Sequence, residues 1–489
     1  MLRIKTTDNN GGKVISNECI LETTGEKQEA EKFSEQHYFD LMSFANTPLK
    51  ELGLNNKELL VFPHCLLSED KILDNTYGKI LDSKILEMYG QKENPDAVKI
   101  STGNLMGFVG KGNVRVEITS RFDKGQKDFF LHYMLLRVFC PNLVNLDSAA
   151  LSGDFLDVLP LMFSHVLRKA LSQGVYKTYR TFERNDANIK GPVNVSRHIR
   201  ENIPFCGKIA YRERTRTADN PLTELVRHTI EFIKQKPFGR GILSHDKDVR
   251  NAVLQITECT PSYSRQERQK VIAKNAQPVR HPYFTEWRPL QKLCLAILNS
   301  EKIEYHSDRN NVYGILFDCA WLWEEYVNTI LKEKGFEHPE NKNRTGGIRM
   351  FEKSDEENEI DSNFRRIYPD FYRKKGENPD WILDAKYQHL EKDPKRENLY
   401  QIVSYMHTTK CGRGGFIFPY DGKKSQEKEA GESFSRKFAL AGYGGTVSVF
   451  GMRIPQNSES SENFVAEMKK SETWLNGEMD KVENDKGVG

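Results

Sequence analysis

The clearest pattern of apolar and polar positions lies in the last third of the chain. It predicts, in order, a helix, two strands, a second helix and a third strand. The first helix has apolar side chains at helical spacing, Asp318 as a candidate N-cap and Gly335 as a candidate stop. Turn-forming residues 374–380 separate the first two strands, which predicts an antiparallel hairpin. The segments are 318–335 (helix), 368–387 (hairpin), 398–407 (helix) and 415–420 (strand). This order predicts an α/β core.

Three ionisable side chains lie at neighbouring positions of the predicted hairpin. Asp370 follows Pro369 in its first strand, and Asp384 and Lys386 lie two residues apart in its second. Side chains two residues apart on a strand point to the same face. Antiparallel pairing then places Asp370 beside Asp384. Lys386 follows the largely apolar run 381–385, where a charged side chain is costly unless it has a partner or a purpose.

Two carboxylates and one ammonium group on a sheet surface suit magnesium-assisted cleavage of a phosphodiester. Mg²⁺ takes oxygen ligands, usually one or two carboxylates together with water and substrate phosphate. It lowers the pKa of a bound water and stabilises charge on phosphoryl oxygens, and a nearby lysine can orient that water or neutralise developing charge. The alternative is an ordinary ion pair between Asp384 and Lys386 on an exposed edge strand, since Asp-x-Lys triplets often occur by chance.

Residues on both sides of the hairpin add to this set. Glu324 lies at the edge of the apolar stripe of the first helix, placed to point toward whatever that helix covers. It could equally be a solvated helix glutamate. Gln401 and Tyr405 are at positions i and i+4 of the second helix and therefore share one face.

Composition fits a large polar protein with substantial cores. The 489 residues predict two or three domains, with 38% hydrophobic residues for cores and 29% charged residues for the surface. No apolar run approaches the roughly 20 residues of a membrane span, and the N-terminus lacks the apolar region of a signal peptide. We therefore expect a cytoplasmic protein without membrane association. The eight cysteines include no Cys-x-x-Cys pair, which predicts reduced, mostly buried thiols and no zinc ribbon.

Basic residues are concentrated in the middle of the chain. From Arg168 to Arg240 they outnumber acidic residues by about two to one. The span includes Arg212, Arg214 and Arg216, with aromatic residues interleaved. This pattern indicates either a surface that contacts phosphates or a partner, or a solvated basic face of ordinary helices.

The glycines of residues 103–112 do not form a phosphate-binding loop. Gly112 follows Lys111 where a Walker A motif needs Ser or Thr, and Leu105 stands where it needs Gly. The segment instead predicts a β-hairpin with glycines in its turn. We therefore expect any nucleotide hydrolysis to come from a partner.

The set of Glu324, Asp370, Asp384, Lys386, Gln401 and Tyr405 resembles the site of the PD-(D/E)xK nuclease superfamily. More closely, it resembles McrC-type subunits of McrBC modification-dependent restriction systems and the related LlaJI-type proteins. The strand 382–387 and the helix segment 323–327 look like the corresponding family segments, and weaker similarity extends over most of residues 95–420.

The resemblance implies a bacterial or archaeal Mg²⁺-dependent endodeoxyribonuclease of the type IV restriction class. Asp370, Asp384 and the Ala385 carbonyl would be metal ligands, with Glu324 as an auxiliary acid in the metal shell. Lys386 would orient or activate the attacking water, and Gln401 and Tyr405 would support the DNA or the site geometry. The implied partners are DNA carrying 5-methylcytosine or another modification and an AAA+ GTPase of the McrB type, which the N-terminal part would contact and stimulate.

The expected organisation is a multi-domain α+β protein. Residues 1–125 would form a β/α adaptor region and residues 126–300 a mostly helical, basic region. Residues 301–455 would form a restriction-endonuclease-like core, a mixed sheet flanked by helices. Residues 456–489 would be an acidic tail, peripheral or mobile.

Two other functions stay open at this level. The chain could be a stand-alone repair or recombination nuclease of the same superfamily, since the Gln401 and Tyr405 helix also resembles that of RecB-like exonucleases. It could also be a non-catalytic activator of an AAA+ motor. The presence of Asp370, Asp384 and Lys386 argues against this, because a site that has lost its activity has no reason to keep its charged residues.

Overall fold

The computed structural model divides the chain into two compact units, residues 1–161 with 301–489, and residues 162–300. It describes residues 2–14, 20–21, 33–56, 58–63, 82–90, 98–123, 128–140, 158–236, 238–299, 311–339, 347–351, 366–376, 378–389, 394–422, 432–442 and 444–484. The first unit is therefore built from both ends of the chain, which differs from the sequential division expected from composition.

The helices and strands fall into three consecutive stretches of the chain. The first part of unit one contains β1 (Leu2–Thr7), β2 (Lys13–Val14), β3 (Ile20–Leu21), α1 (Glu35–Met42), α2 (Leu49–Asn55), β4 (Leu59–Phe62), β5 (Leu86–Tyr89), β6 (Lys99–Thr102), β7 (Leu105–Lys111), β8 (Val114–Thr119) and α3 (Phe129–Phe139). Next come α4 (Val158–Leu171), β9 (Thr178–Asp186), α5 (Val195–Glu201), β10 (Ile209–Thr217), α6 (Pro221–Lys234), α7 (Gly239–Ser244), α8 (Lys247–Cys259), α9 (Arg268–Lys274) and α10 (Trp287–Leu298). The chain then re-enters unit one with β11 (Tyr313–Asp318), α11 (Cys319–Leu331), β12 (Ile348–Arg349), β13 (Arg366–Ile367), β14 (Phe371–Lys375), β15 (Asn378–Ala385), α12 (Arg396–Thr409), β16 (Arg413–Tyr420), β17 (Phe434–Ala439), β18 (Thr446–Arg453) and α13 (Ser461–Asn484).

A six-stranded mixed sheet forms the N-terminal part of unit one, in the order β3-β1-β8-β7-β11-β4. Its β7–β8 hairpin confirms the hairpin predicted from the glycines of residues 103–112, with Gly112 in the turn at φ +59°. Strand β11 pairs antiparallel with β7, although it follows the second unit in sequence. A Cβ atom at Gly107 would lie 2.0 Å from the carbonyl oxygen of Ile315, so this pairing requires glycine there. The contribution of β11 to this sheet explains why the first unit is discontinuous.

A five-stranded mixed sheet forms the C-terminal part of unit one, in the order β14-β15-β16-β18-β17. Strands β15, β16 and β18 run parallel, while β14 and β17 are antiparallel edges. Helix α12 covers one face of this sheet, where its Ile402 and Met406 pack against Phe416 and Val449. The predicted order of helix, strand, strand, helix and strand is confirmed, and with it the α/β class.

The acidic C-terminal segment forms helix α13, whose apolar positions recur at helical spacing and are buried. Phe464, Met468, Leu475 and Met479 are each at most 2% exposed. The expected peripheral or mobile tail is therefore, through Asn484, a helix with one face inside unit one. Composition alone did not reveal this apolar face, because a helix with one buried face needs an apolar residue only at about every third or fourth position.

The second unit consists mainly of helices, as expected, but part of its basic segment forms a long two-stranded antiparallel hairpin. Strands β9 and β10 pair over nine residues each, from Thr178↔Thr217 to Asp186↔Ile209. Helices α6 and α10 supply the buried residues Leu225, Ile230, Trp287 and Leu290. Among the described residues, none of the helices is long and apolar enough to cross a membrane.

Candidate active site

The hairpin of β14 and β15 brings the predicted carboxylates together. Phe371 pairs with Leu383 in the antiparallel hairpin, so Asp370, directly before β14, lies next to Asp384 near the end of β15. Strand β15 also pairs in parallel with β16 on its other side. Asp384 is 1% exposed. Asp384 thus lies buried on an inner strand of the sheet and not on the exposed edge strand that an ordinary ion pair would occupy.

Lys386 connects this pair to helix α12. Its Nζ lies 2.5 Å from Oδ2 of Asp384 and donates a 3.0 Å hydrogen bond to Oε1 of Gln401. Burial opposes the charged ammonium, but the charges of Asp384 and Asp370 outweigh it and raise the pKa of Lys386 above its ordinary value. Lys386 is therefore a protonated donor held among oxygen atoms.

Asp370 is fixed by the main chain of the opposite strand. Its Oδ2 accepts a 2.9 Å hydrogen bond from the backbone N–H of Ala385. Burial, followed by the charges of Asp384 and Glu324, raises the pKa of Asp370 well above its ordinary value. Two carboxylates and a third nearby acid in one buried place create a site of concentrated negative charge that favours a cation.

Gln401 and Tyr405 meet on one face of α12, as the i, i+4 spacing predicts. Gln401 Nε2 donates a 2.7 Å hydrogen bond to Tyr405 OH. Tyr405 OH donates in turn to the carbonyl oxygen of Tyr368, at 3.2 Å. Burial raises the pKa of Tyr405 to about 12, so its hydroxyl stays protonated. The amide of Gln401 is thereby oriented with its oxygen toward Lys386.

Glu324 lies near the carboxylate pair but beside a residue that the sequence did not single out. His338 Nδ1 lies 2.8 Å from the carbonyl oxygen of Asp370, and its Nε2 lies 3.7 Å from Glu324 Oε1 and 3.6 Å from Glu325 Oε1. Burial lowers the pKa of His338, yet the hydrogen bond to Glu325 and the charge of Glu324 raise it more, so the net shift is upward. No sequence pattern could have identified His338, because a single histidine in a loop has no periodic or spacing signal.

Helix α11 is attached to the five-stranded sheet through Trp323. Its Nε1 donates a 3.3 Å hydrogen bond to the carbonyl oxygen of Ile417, which also accepts a 3.0 Å bond from the N–H of Lys386. Asp318 caps the helix by accepting from the N–H groups of Ala320 and Trp321, which confirms the predicted start. Glu324, the neighbour of Trp323, is positioned by these contacts.

The donor atoms suit a hard divalent cation bound by few protein ligands. Oδ1 of Asp384 is buried without a hydrogen-bond partner among the described residues, which is costly unless a cation occupies the place. Within those same residues, no group of three or more His, Cys, Asp or Glu side chains is arranged to hold a metal. Mg²⁺ needs only one or two carboxylates, so Asp370 and Asp384 with the Ala385 carbonyl fit it.

Arg212, Arg214 and Arg216 of the basic segment lie on strand β10 of the β9–β10 hairpin, whereas other arginines of the segment, such as Arg197 and Arg227, lie on helices. Arg212 pairs with Glu183 at 3.6 Å, and Arg184 pairs with Glu213 at 3.4 Å. The guanidinium of Arg214 lies 4.9 Å from the ring centroid of Tyr179. These cross-strand pairs neutralise part of the positive charge that the sequence concentrated there.

Comparison with known proteins identifies the family. The model of the McrBC 5-methylcytosine restriction system component family matches residues 100–419. The chain belongs to this McrBC family. The matched region includes Glu324, Asp370, Asp384, Lys386 and Gln401, so the family assignment and the described site concern the same part of the chain.

Solved structures similar to this McrBC family member come from Thermococcus gammatolerans. One is a half-complex of a tetradecameric assembly of McrB AAA+ hexamers with bound McrC, at 15% identity and a TM-score of 0.45, covering 96% of this chain and 99% of the other. Another is a cryo-EM structure of the McrBC complex, at 14% identity and a TM-score of 0.31, covering 68% and 87%. No curated protein shows significant sequence similarity to the chain.

Proposed function

We propose that this chain is the DNA-cleaving subunit of a McrBC-type modification-dependent restriction system and that it hydrolyses phosphodiesters with Mg²⁺. The observation that carries the proposal is the convergence of Asp370, Asp384 and Lys386 on one buried sheet surface. Family membership supports the restriction role, and Oδ1 of Asp384, which is buried without a hydrogen-bond partner among the described residues, supports the metal.

In this proposal Asp370, Asp384 and the Ala385 carbonyl hold Mg²⁺, with Glu324 as an auxiliary acid. The bound ion would lower the pKa of a water and stabilise charge on the phosphoryl oxygens. Lys386 donates hydrogen bonds from its charged ammonium, which orients the attacking water and counters the negative charge that develops on the phosphate. Gln401 holds that ammonium in place, and Tyr405 holds Gln401.

We further propose two partners, modified DNA and an AAA+ GTPase of the McrB type. The family description names 5-methylcytosine restriction, which supports modified DNA as the target. The sequence carries no Walker A motif at its glycine-rich segment, and residues 103–112 lie in and around the β7–β8 hairpin. A separate motor would therefore supply GTP hydrolysis, and residues 1–300 would contact and stimulate it.

The deciding experiment compares Asp384→Asn with the unchanged chain, each combined with a partner GTPase of the McrB type, GTP, Mg²⁺ and methylated plasmid. Asp384→Asn should abolish cleavage and leave stimulation of GTP hydrolysis intact. Asp380→Asn is the matched control, because Asp380 lies on the same strand and pairs with Arg373 at 2.8 Å. That variant should still cut. Cleavage by the Asp384→Asn complex would refute the site assignment.

The same assay separates the two other functions. Cleavage by the chain alone, without GTPase or GTP, would indicate a stand-alone nuclease. Full stimulation of the GTPase with no cleavage of any DNA by the unchanged complex would indicate a non-catalytic activator.

A further inference from the structure

The residue after the catalytic lysine is bound by three consecutive residues of the N-terminal sheet region. Ser120 Oγ lies 2.8 Å from Tyr387 OH, and the Phe122 ring lies 5.0 Å from the Tyr387 ring, edge to face. Arg121 Nη2 donates a 2.9 Å hydrogen bond to the Tyr387 carbonyl oxygen, across 266 positions of sequence. Its guanidinium carbon also lies 4.8 Å from the centroid of the Tyr387 ring. Tyr387 is thus held at both its main chain and its side chain.

Arg121 is itself held rigidly from the opposite side. Its Nε lies 3.2 Å from Oδ2 of Asp8, and its backbone N–H donates a 2.7 Å bond to Oδ1 of the same carboxylate. Its Nη2 also donates to Asn104 Oδ1 at 3.0 Å. Asp8 is fully buried, and a buried charge is retained only where it is paired. The network has a fixed geometry because a planar guanidinium offers its donors in fixed directions.

The position of this network matters because of where Lys386 lies. Strand β15 ends at Ala385, and Lys386 makes the next sheet contact through its N–H to the Ile417 carbonyl at 3.0 Å. The chain then turns, with the N–H of Gln388 donating to the Lys386 carbonyl at 3.0 Å. The main chain of Lys386 is therefore fixed on one side by the sheet and on the other by Tyr387.

We propose that Arg121 is a positioning residue for Lys386, acting through the Tyr387 carbonyl, and that the N-terminal sheet region thereby forms part of the nuclease centre. This inference rests on the proposed nuclease function. Loss of the contact would let the turn at Tyr387 move and displace the Lys386 ammonium from its place between Asp384 and Gln401. A displacement of about 1 Å at a catalytic group can lower the rate about 100-fold.

The test uses the complex with the GTPase, GTP, Mg²⁺ and methylated plasmid, and it compares two arginines of the same sheet region. Arg121→Met removes the contact with Tyr387. Arg115→Met is the matched control, because Arg115 is also buried but contacts Glu117, at 3.1 Å, and the Phe108 ring. A second version of the test variant carries Asp8→Asn as well, so that no unpaired carboxylate is left buried.

The expected result for Arg121→Met, alone or with Asp8→Asn, is a loss of turnover of about 100-fold. DNA affinity and the Mg²⁺ concentration for half-maximal activity should stay unchanged, because the substitution leaves Asp370 and Asp384, the proposed metal ligands, as they are. Amide hydrogen exchange of residues 382–389 should become faster. Arg115→Met should keep near-normal turnover and normal hydrogen exchange of residues 382–389. This should hold even if its melting temperature falls as far as that of Arg121→Met.

Equal turnover in the Arg121 and Arg115 variants at equal melting temperatures would overturn the inference, while the nuclease function would stand. An inactive unchanged complex would refute the nuclease function. Hydrogen exchange would then decide the positioning by itself: unchanged exchange of residues 382–389 in Arg121→Met would refute it, and faster exchange would support it.

Discussion

The hydroxyl of Tyr326 donates a 2.8 Å hydrogen bond to Oε1 of Glu472 and so connects the helix that carries Glu324 to the last helix of the chain. The same oxygen accepts a 2.7 Å bond from Tyr133 OH, and Oε2 accepts a 3.2 Å bond from Arg137. Burial, followed by the charge of Glu472, raises the pKa of Tyr326 well above its ordinary value, so it remains a donor. The C-terminal helix α13 is therefore hydrogen-bonded to helix α11, which carries Glu324 of the candidate site.

Replacing Glu472 should destabilise the first unit. Glu472→Ala leaves two buried tyrosine hydroxyls and Arg137 without their acceptor, and each unsatisfied buried group costs about 1–3 kcal/mol. We expect a loss of about 3 kcal/mol in the free energy of unfolding, measured by urea denaturation. Glu467→Ala on the same helix, where Glu467 pairs with Lys470 at the surface, should change stability little. Equal stability of the two variants would contradict the role of Glu472.

The sequence predicts the β14–β15 hairpin well because the determinants of this hairpin are local. The turn formers around Gly376 and the two-residue spacing of Asp384 and Lys386 specify the pairing and the face within one short segment, although residues 374–375 and 378–380 of the predicted turn belong to the strands. The connection of Arg121 to Tyr387 could not be predicted, since nothing in either segment specifies a partner 266 residues away. The β9–β10 hairpin was not predicted from the sequence, for a different reason. Its strands alternate half-buried and exposed residues that are mostly polar, so the charge distribution of the segment masks its strand periodicity.

Gln401 should affect the rate of cleavage and not the folding of helix α12. Gln401→Ala removes the acceptor of the Lys386 ammonium, and a hydrogen bond to a charged group contributes about 1.5–3 kcal/mol. Since each 1.36 kcal/mol corresponds to about tenfold in rate, we expect cleavage by the complex to slow by about 10- to 100-fold. Tyr400→Phe on the exposed side of the same helix is the control and should cut normally. Normal cleavage by Gln401→Ala would show that Lys386 does not depend on this contact.

Two adjacent glutamates provide a test of the auxiliary acid. Glu324 and Glu325 both lie near His338, but it is the charge of Glu324 that contributes to the raised pKa of Asp370. Glu324→Gln should therefore raise the Mg²⁺ concentration for half-maximal cleavage by about 10-fold, as expected for a residue that tunes metal ligands. Glu325→Gln should leave it near the unchanged value. A Mg²⁺ titration of plasmid cleavage measures this concentration for both variants. Identical curves for the two variants would show that Glu324 does not contribute to metal binding.

The stability of the first unit should fall as the pH rises, because Asp128 releases a proton at a higher pH in the folded chain than in the unfolded chain. Burial, together with the charge of Asp123, raises the pKa of Asp128 from 3.8 to about 7, although N–H groups of Leu131 and Ser120 oppose the shift. Between these values the folded chain keeps a proton on Asp128 that the unfolded chain has released. The contribution of Asp128 to stability is thus complete below about pH 4 and is lost as pH rises through about 7.

Urea denaturation across this range should give a smaller decline for Asp128→Asn than for the unchanged chain, because asparagine does not titrate. Ser471→Ala, which removes a 2.8 Å hydrogen bond to the Arg453 carbonyl within the first unit without changing a titratable group, should shift the unfolding free energy by the same amount at every pH. Parallel curves for Asp128→Asn and the unchanged chain would mean that Asp128 is ionised in the folded protein throughout, with its charge stabilised by the N–H groups of Ser120 and Leu131 that its two oxygens accept.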